Sequence, residues 1–220
     1  MNKQYSDNGS YAGYNKNHKD REENDFYATP SEEVYNILNT INPMLEGSTI
    51  LEPCCGTGHM MKGIEWYLAT KKYKPEKLIG TDLIERELNY FPQFEWDMYF
   101  NKDFLNKDYR INDIDFIIMN PPYKDIKEFL KKSVIKTNAN VLCLCRLQTI
   151  ETIKRYEEIF KDNPPSDVFV YVDRIACAKN GDFNKDTSAI QAYCWLYWDR
   201  TKSYTDTKLH WIRKYNKIEK

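Results

Sequence analysis

The sequence has no long apolar run and no apolar N-terminal segment. None of its apolar stretches reaches the roughly 18 residues that a transmembrane helix requires, so we expect no membrane span and no membrane partner. The first residues are rich in Asn, Lys, Ser and Gly and lack the apolar region of a secretory signal. Both absences favour a cytoplasmic protein.

Clustered metal ligands are absent as well. The sequence has only 3 histidines and 6 cysteines, and no cysteine pair has Cys-x-x-Cys spacing. A zinc site requires tighter clusters of ligands, so we predict no metal. The cysteines are interpreted as buried thiols in a reducing compartment.

A strong net charge is also lacking. The 32 basic and 33 acidic residues give a net charge of −1, so the whole molecule does not attract a polyanion. A nucleic-acid partner would have to bind to a local basic patch.

The chain of 220 residues is long enough for one well-buried domain. Residues 1–24 carry almost no aliphatic side chains and are predicted to form a flexible arm. Residues 25–200 are predicted to form the single domain, and residues 201–220 a basic C-terminal tail. The sequence leaves the oligomeric state open.

Short apolar runs alternate with helical stretches through most of the domain. The pattern predicts strands at 49–51, 78–82, 94–96, 114–119 and 141–145, and a helix capped by Ser31 before the first of them. Further helices are predicted after Gly58, after Tyr123 and at 150–160. Strands that are apolar on both faces and alternate with helices indicate an α/β fold, in which helices cover both faces of a mostly parallel sheet. Two further apolar runs, 168–172 and 192–198, predict a terminal antiparallel hairpin with a long loop.

A glycine-containing loop follows the first strand of this pattern. The loop Glu52-Pro53-Cys54-Cys55-Gly56-Thr57-Gly58 lacks the third glycine of a dinucleotide fingerprint and the Lys-Ser/Thr pair of a phosphate loop. A zwitterionic ligand without phosphate suits it better, because Glu52 can face an ammonium group. Asp82 ends the next strand, where a carboxylate can accept both hydroxyls of a ribose, and Asp103 and Phe104 can flank an adenine ring.

The tetrapeptide Asn120-Pro121-Pro122-Tyr123 directly follows a buried strand. Each proline fixes its own φ and restricts the residue before it, so the loop is stiff. Such a loop holds two acceptors, the Asn120 side-chain oxygen and the Pro121 carbonyl oxygen, which together can bind both hydrogens of an NH₂ group. Tyr123 offers a flat face to a flipped base. The chemistry predicted is methyl transfer to a planar amino group.

These residues give the chain a family resemblance. It resembles the amino-directed DNA methyltransferases of the adenine-N6 type, which carry an Asn-Pro-Pro-Tyr motif, and particularly the small members encoded by phages. The similar region runs from about Asp25 to Arg200 and includes the N-terminal motif Asp25 to Pro30. The resemblance implies a Rossmann-like class I methyltransferase fold with a mostly parallel seven-stranded sheet. It also implies a bacterial or phage-infected host cytoplasm.

The resemblance also implies roles for individual residues. Asn120, Pro121 and Tyr123 would bind the target base. The residues implied for the cofactor S-adenosylmethionine are Tyr27, Thr29, Pro30, Glu52, Cys54, Gly56, Gly58, Asp82, Asp103, Phe104 and Asn120.

Basic residues near the catalytic loop and the terminal hairpin are candidates for contact with duplex DNA. They are Lys124, Lys127, Lys179, Lys185 and Arg200. The same catalytic loop can also serve cytosine N4, an RNA base or a protein glutamine amide, and a non-catalytic binding protein can keep the fold. The N-terminal motif favours DNA, because RNA and glutamine enzymes with a similar catalytic loop generally lack it.

Overall fold

The computed structural model describes residues 26–110, 112–183 and 191–215. The strands are β1 Tyr27–Ala28, β2 Thr49–Glu52, β3 Lys77–Thr81, β4 Asp97–Tyr99, β5 Phe116–Met119, β6 Asn140–Arg146, β7 Asp167–Tyr171, β8 Ala178–Lys179, β9 Tyr193–Trp198 and β10 Lys208–Ile212. The helices are α1 Ser31–Ile41, α2 His59–Lys71, α3 Ile126–Leu130 and α4 Ile153–Arg155. Lys131–Ile135 and Tyr156–Phe160 extend α3 and α4 as π-helical turns, and Leu147–Ile150 forms a 3₁₀ turn.

One sheet of eight strands organises the described residues, in the order β10-β7-β9-β6-β5-β2-β3-β4. Neighbouring strands are parallel except at β9, which runs antiparallel to both β6 and β7. The predicted antiparallel pairing of the two last apolar runs is therefore confirmed. The long connection between them contributes β8, which pairs with β1 in a separate two-stranded sheet.

Both faces of the large sheet are covered, as the continuous apolar strands indicated. One core contains side chains of α1 and α2, among them Ile37 and Ile64, against Ile50 and Ile118 of the sheet. The other contains Leu130 and Val134 against Leu51, Ile117 and Val141. Successive residues of β5, and Ile50 and Leu51 of β2, thus enter opposite cores, which is why both positions of each pair are apolar.

The structure corrects three predictions. The sheet has eight strands instead of seven, because β10 of the predicted basic tail pairs with the outer edge of β7. Leu209 and Trp211 of β10 are exposed and Ile212 is buried, so the segment lacks the apolar run of a core strand.

The other two corrections concern single elements. The strand predicted at 94–96 lies at Asp97–Tyr99. Ser31 is the first residue of α1 and does not cap it; its hydroxyl donates to the His59 carbonyl oxygen.

Among the described residues, no helix is long and apolar enough to cross a membrane. The residues predicted to form the flexible arm, 1–24, lie outside the described part of the chain.

Candidate active site

Three adjacent strands of the sheet end at one cavity. β2, β3 and β5 are neighbours and parallel, so the loops that follow them meet at one edge. The cavity there has a volume of about 310 Å³. It is lined by many of the predicted site residues, namely Tyr27, Cys54, Asp82, Asp103, Phe104, Asn120, Pro121, Tyr123 and Lys124. This is the position at which open α/β sheets bind ligands.

The glycine loop is tied to the end of β3. The backbone N–H of Cys55 donates to the Thr81 carbonyl oxygen at 2.9 Å, and that of Gly56 donates to Asp82 Oδ2 at 2.8 Å. Gly56 has φ of +54°, and a Cβ there would lie 3.0 Å from the ring of Phe26. The glycine therefore accommodates a ring of the protein itself, a contact that the sequence did not predict.

Glu52 lies beneath this loop. Its side chain is 2% exposed and its Oε2 has no hydrogen-bond partner. Burial, and then the neighbouring charge of Asp82, raise the pKa of Glu52 well above its ordinary value. A cationic group placed beside Glu52 would satisfy the unpaired oxygen and favour the ionised carboxylate.

Asp82 is held by three donors. Besides Gly56, the backbone N–H of Ile84 donates to Oδ1 at 2.9 Å, and Arg86 Nη1 donates to the same oxygen at 3.1 Å. The Arg86 guanidinium also lies 4.7 Å from the centre of the Phe26 ring. Both Phe26 and Arg86 line the cavity. No local sequence signal marked Arg86, because its importance comes from Asp82 and Phe26 together.

Asp103 and Phe104 form another wall of the cavity. Phe104 is 1% exposed and stacks on Phe129 with the ring centroids 5.0 Å apart. Asp103 is exposed, and its Oδ1 accepts a hydrogen bond from the Leu105 backbone at 2.8 Å. The Asp103 hydrogen bond and the Phe104 stacking therefore hold this loop in place, at the position predicted to flank an adenine ring.

The Asn120 amide is fixed in one orientation. Its Nδ2 donates to the Tyr27 carbonyl oxygen at 2.9 Å and to Thr29 Oγ1 at 3.0 Å. A carbonyl oxygen only accepts, so the amide nitrogen must face Tyr27 and the amide oxygen must face away. That oxygen, Oδ1, is buried and has no hydrogen-bond partner. The N-terminal motif thus orients the side chain predicted to bind the amino group.

Tyr123 packs within an aromatic cluster. Its hydroxyl lies 2.9 Å from the Tyr193 hydroxyl, and its ring centroid lies 5.7 Å from that of Tyr27. The guanidinium carbon of Arg146 lies 4.3 Å from the same ring. The face predicted to be open to a flipped base is therefore contacted by an arginine that sequence reasoning missed.

The predicted DNA-contacting residues are not all brought together. Lys124 is exposed beside the cavity, and Lys179 is exposed in β8, opposite Tyr27. Lys127 pairs with Glu128 and Glu158 at 3.0 Å each, which raises its pKa to about 12. Arg200 lies at the opposite end of the strands from the cavity. Its backbone N–H there donates to Asn140 Oδ1, at the start of β6. Its Nη2 donates to the Val134 carbonyl oxygen, so this arginine does not join the site.

Some predicted site residues lie away from the cavity surface. Glu52, Gly56 and Gly58 belong to the glycine loop but do not line the cavity. Thr29 and Pro30 do not line it either, and they lie just before α1. Asp25 and Lys185 lie outside the described residues.

No group of three or more potential metal ligands occurs among the described residues. Burial, followed by the charge of Glu52, raises the pKa of Cys54 well above its ordinary value, which disfavours a thiolate nucleophile.

Neither a protein-family model nor a curated protein matches this sequence. Solved structures do match the fold. A Listeria monocytogenes protein named as a class I S-adenosylmethionine-dependent methyltransferase has a TM-score of 0.58 at 11% identity, over 84% of this chain and 65% of that one. A Vibrio vulnificus protein named as a modification subunit of a type I restriction enzyme has a TM-score of 0.58 at 14% identity, over 89% of this chain and 48% of that one.

A third similar structure is a Pyrococcus horikoshii protein named as an RNA methyltransferase. Its TM-score is 0.52 at 16% identity, over 79% of this chain and 87% of that one. These similarities establish the fold, which is the predicted Rossmann-like class I methyltransferase fold with an eighth strand. The chain spans 65% and 48% of the length of the first two proteins.

Proposed function

We propose that this chain is an S-adenosylmethionine-dependent methyltransferase that methylates the exocyclic N6 amino group of adenine in DNA, with the target base flipped out of the duplex. The observation that carries the proposal is the Asn120 amide, whose nitrogen is held by Tyr27 and Thr29 while Oδ1 is buried without a donor. A buried acceptor without a partner is unfavourable by about 1–3 kcal/mol. An amino group of a substrate supplies the missing donor.

S-adenosylmethionine fits the residues around the cavity. Its ammonium group would lie on the side of Glu52, which does not line the cavity itself but is buried beneath the glycine loop with Oε2 lacking a donor. Its ribose hydroxyls would bind to Asp82, and its adenine would lie near Asp103 and Phe104, all of which line the cavity. When bound, the cofactor supplies an electrophilic methyl group on a sulfonium centre.

The chain's own residues then activate the amino nitrogen. The lone pair of an aromatic amine is delocalised into its ring, so the nitrogen is a weak nucleophile. Asn120 Oδ1 and the Pro121 carbonyl oxygen would accept its two hydrogens, which draws the nitrogen towards tetrahedral geometry and stabilises the positive charge that develops on it. The two prolines hold both acceptors in place before the substrate arrives.

DNA is the preferred substrate for two reasons. The N-terminal motif from Tyr27 to Pro30, here in contact with Asn120, resembles the corresponding motif of DNA enzymes. Exposed Lys124 adjoins the cavity and can approach a phosphate of the flipped nucleotide. An extrahelical base would enter the cavity, which Tyr123 and exposed Lys124 line.

The test is to incubate the protein with a cofactor that carries a labelled methyl group and with duplex DNA, RNA or a protein extract. The DNA is then digested to nucleosides, and we expect labelled N6-methyladenine. Sequencing around each modified base would show whether a target sequence exists.

Other outcomes identify the alternatives. Label at cytosine N4, or in RNA or a glutamine amide and not in DNA, would reject the proposed substrate while keeping the chemistry. Cofactor binding without transfer to any of these acceptors would indicate a binding protein with the same fold.

A further inference from the structure

Arg146 stands at the end of β6, the strand beside the one that carries Asn120. In the register of the two parallel strands, Met119 lies opposite Cys143. Asn120 is therefore one residue beyond this pair on β5, and Arg146 three residues beyond it on β6, a difference of roughly 7 Å along the sheet. Asn120 thus follows the carboxyl end of β5, and Arg146 is the last residue of the neighbouring strand β6, at the same end of the sheet.

The Arg146 side chain contacts the Tyr123 ring. Its guanidinium carbon lies 4.3 Å from the ring centre, which is the distance of a close cation–π contact. On the other neighbouring strand, the backbone of Arg146 lies opposite Tyr193, whose hydroxyl contacts that of Tyr123. The guanidinium therefore lies against the ring predicted to stack on the target base.

The Nε–H of this arginine lacks an acceptor. Nε is buried and has no hydrogen-bond partner. The titratable groups around the guanidinium are neutral at neutral pH, because burial raises the pKa values of Tyr123 and Tyr193 and raises that of Cys177 to about 12. A buried donor on a charged group without an acceptor is unfavourable, and a ligand that brings an acceptor relieves this.

Two buried atoms near Tyr123 thus lack a partner: an acceptor on Asn120, three residues before it in the chain, and a donor on Arg146, whose guanidinium contacts its ring. The amino-bearing edge of adenine presents the complementary pair, an NH₂ group and a ring nitrogen with a free lone pair. On the basis of the proposed function, we infer that Arg146 determines base specificity by donating its Nε–H to a ring nitrogen next to the amino group of the target. A base that hydrogen-bonds to a guanidinium shares its plane, so it can also lie against Tyr123.

This arrangement selects a class of substrate. Adenine and cytosine both carry an unprotonated ring nitrogen near the amino group. In guanine, the ring nitrogen between the amino group and the carbonyl carries a hydrogen, which would meet the Arg146 donor. The pair Asn120 and Arg146 therefore accepts the amino-bearing edge of adenine or cytosine and rejects the edge of guanine that carries this N–H.

The experiment removes the acceptor from the base. Wild-type protein is assayed on duplexes whose target is adenine, 1-deazaadenine or 7-deazaadenine; each analogue keeps the amino group and lacks one ring nitrogen. We expect kcat/KM to fall by roughly 10- to 100-fold on one of the two analogues, the range for a hydrogen bond to a charged donor. Equal activity on all three bases would overturn the inference without any variant.

Arg146→Met is then assayed on the same three duplexes. It should transfer to adenine more slowly than the wild type does. Its ratio of kcat/KM on adenine to kcat/KM on the affected analogue should be roughly 10- to 100-fold smaller than the wild-type ratio. Because both proteins meet identical duplexes, differences in base-pair strength cancel when the two ratios are compared. An unchanged ratio in Arg146→Met would also overturn the inference. Arg213→Met, at an exposed arginine, is the matched control and should behave as the wild type.

Failure of the proposed function and failure of the role proposed for Arg146 give different results. Absence of transfer from wild type to adenine rejects the proposed function, whereas transfer without discrimination rejects only the role of Arg146. Thermal unfolding of Arg146→Met, with cofactor affinity measured by calorimetry, shows whether the fold and the cavity are intact. Arg146→Lys keeps the charge without the Nε–H, so its ratio of kcat/KM on adenine to kcat/KM on the affected analogue should resemble that of Arg146→Met.

Discussion

The Asn120 amide is oriented by residues that are 91 and 93 positions away in the chain. Tyr27 contributes a backbone carbonyl oxygen, while Thr29 contributes a side-chain hydroxyl. Both contacts use the amide nitrogen, so the oxygen stays available for a substrate. The rate of transfer should therefore depend on Tyr27 and Thr29 through the orientation that they give to the Asn120 amide.

Asn120→Ala should abolish most of the transfer and leave cofactor binding largely intact. Loss of one preorganised group that stabilises developing charge lowers kcat by roughly 100-fold or more. Single-turnover transfer and calorimetry of cofactor binding measure the two effects. If Asn120→Ala also fails to bind the cofactor and unfolds earlier, its role is structural.

Thr29→Val should lower kcat by a smaller factor. One of the two acceptors that hold the Asn120 amide is removed, and a neutral hydrogen bond contributes about 1 kcal/mol, or roughly fivefold. The matched variant Thr29→Ser keeps the hydroxyl and should restore most of the rate. A change in cofactor affinity with an unchanged kcat would assign Thr29 to the cofactor site instead.

At this scale the sequence singled out candidate residues but not the residues that contact them. Asn120, Pro121 and Tyr123 were identified because their order is unusual in itself and follows a buried strand. Arg86 and Arg146 carry no such local signal. Each becomes important through a ring and a polar group supplied by distant segments, Phe26 with Asp82 and Tyr123 with Tyr193.

At the scale of elements, α1 and α2 meet at a glycine. A Cβ on Gly63 would lie 2.5 Å from the Ser31 carbonyl oxygen and 2.6 Å from Val34 Cβ. The backbone of α1 cannot give way as a flexible side chain can. Because α2 begins at His59, directly after the glycine loop, this contact also positions the loop.

Gly63→Ala should destabilise the protein despite the better helix propensity of alanine. Propensity alone would stabilise it by about 1 kcal/mol, while overpacking costs about 1–3 kcal/mol. Urea unfolding measures whether the free energy of unfolding falls or rises. Ala69→Gly, at an exposed position of the same helix, reports propensity without packing. An increase in the free energy of unfolding for Gly63→Ala would contradict the close approach.

The sequence predicted elements in proportion to how many of their residues are buried. β2, β5, β6 and β9 are buried along nearly their whole length and were predicted within one or two residues. β4 and β10 have at most one buried residue, and β1 and β8 have two residues each, so periodicity does not mark them. Their positions depend on which sheet edge is available, which is a property of the assembled fold.

At the scale of the whole molecule, Glu52 couples the cofactor site to stability. Its pKa is raised in the folded protein by burial and by Asp82. The folded state therefore holds the proton more tightly than the unfolded chain does. The stability that the protonated Glu52 contributes is present below about pH 4.3, the pKa of an unfolded Glu, and is lost as the pH rises towards the folded pKa.

Glu52→Gln should therefore gain stability relative to the cofactor-free wild type as the pH rises above about 4.3. The same variant should bind S-adenosylmethionine more weakly, because it lacks the carboxylate for the ammonium group. Urea unfolding across pH 4–8, with and without cofactor, measures both. Exposed Glu76→Gln is the control. Parallel pH profiles of wild type and Glu52→Gln would show that Glu52 has an ordinary pKa.

The strand order also determines what happens while the chain is being made. β7 is synthesised before β9 but lies outside it, with β9 between β7 and β6. On the ribosome, β6 therefore keeps an unpaired and mostly apolar edge until residues 193–198 have emerged. Such an edge readily pairs with other chains. A nascent chain stalled before residue 193 is thus expected to aggregate, and translation through this interval is the stage at which a chaperone would protect the protein most.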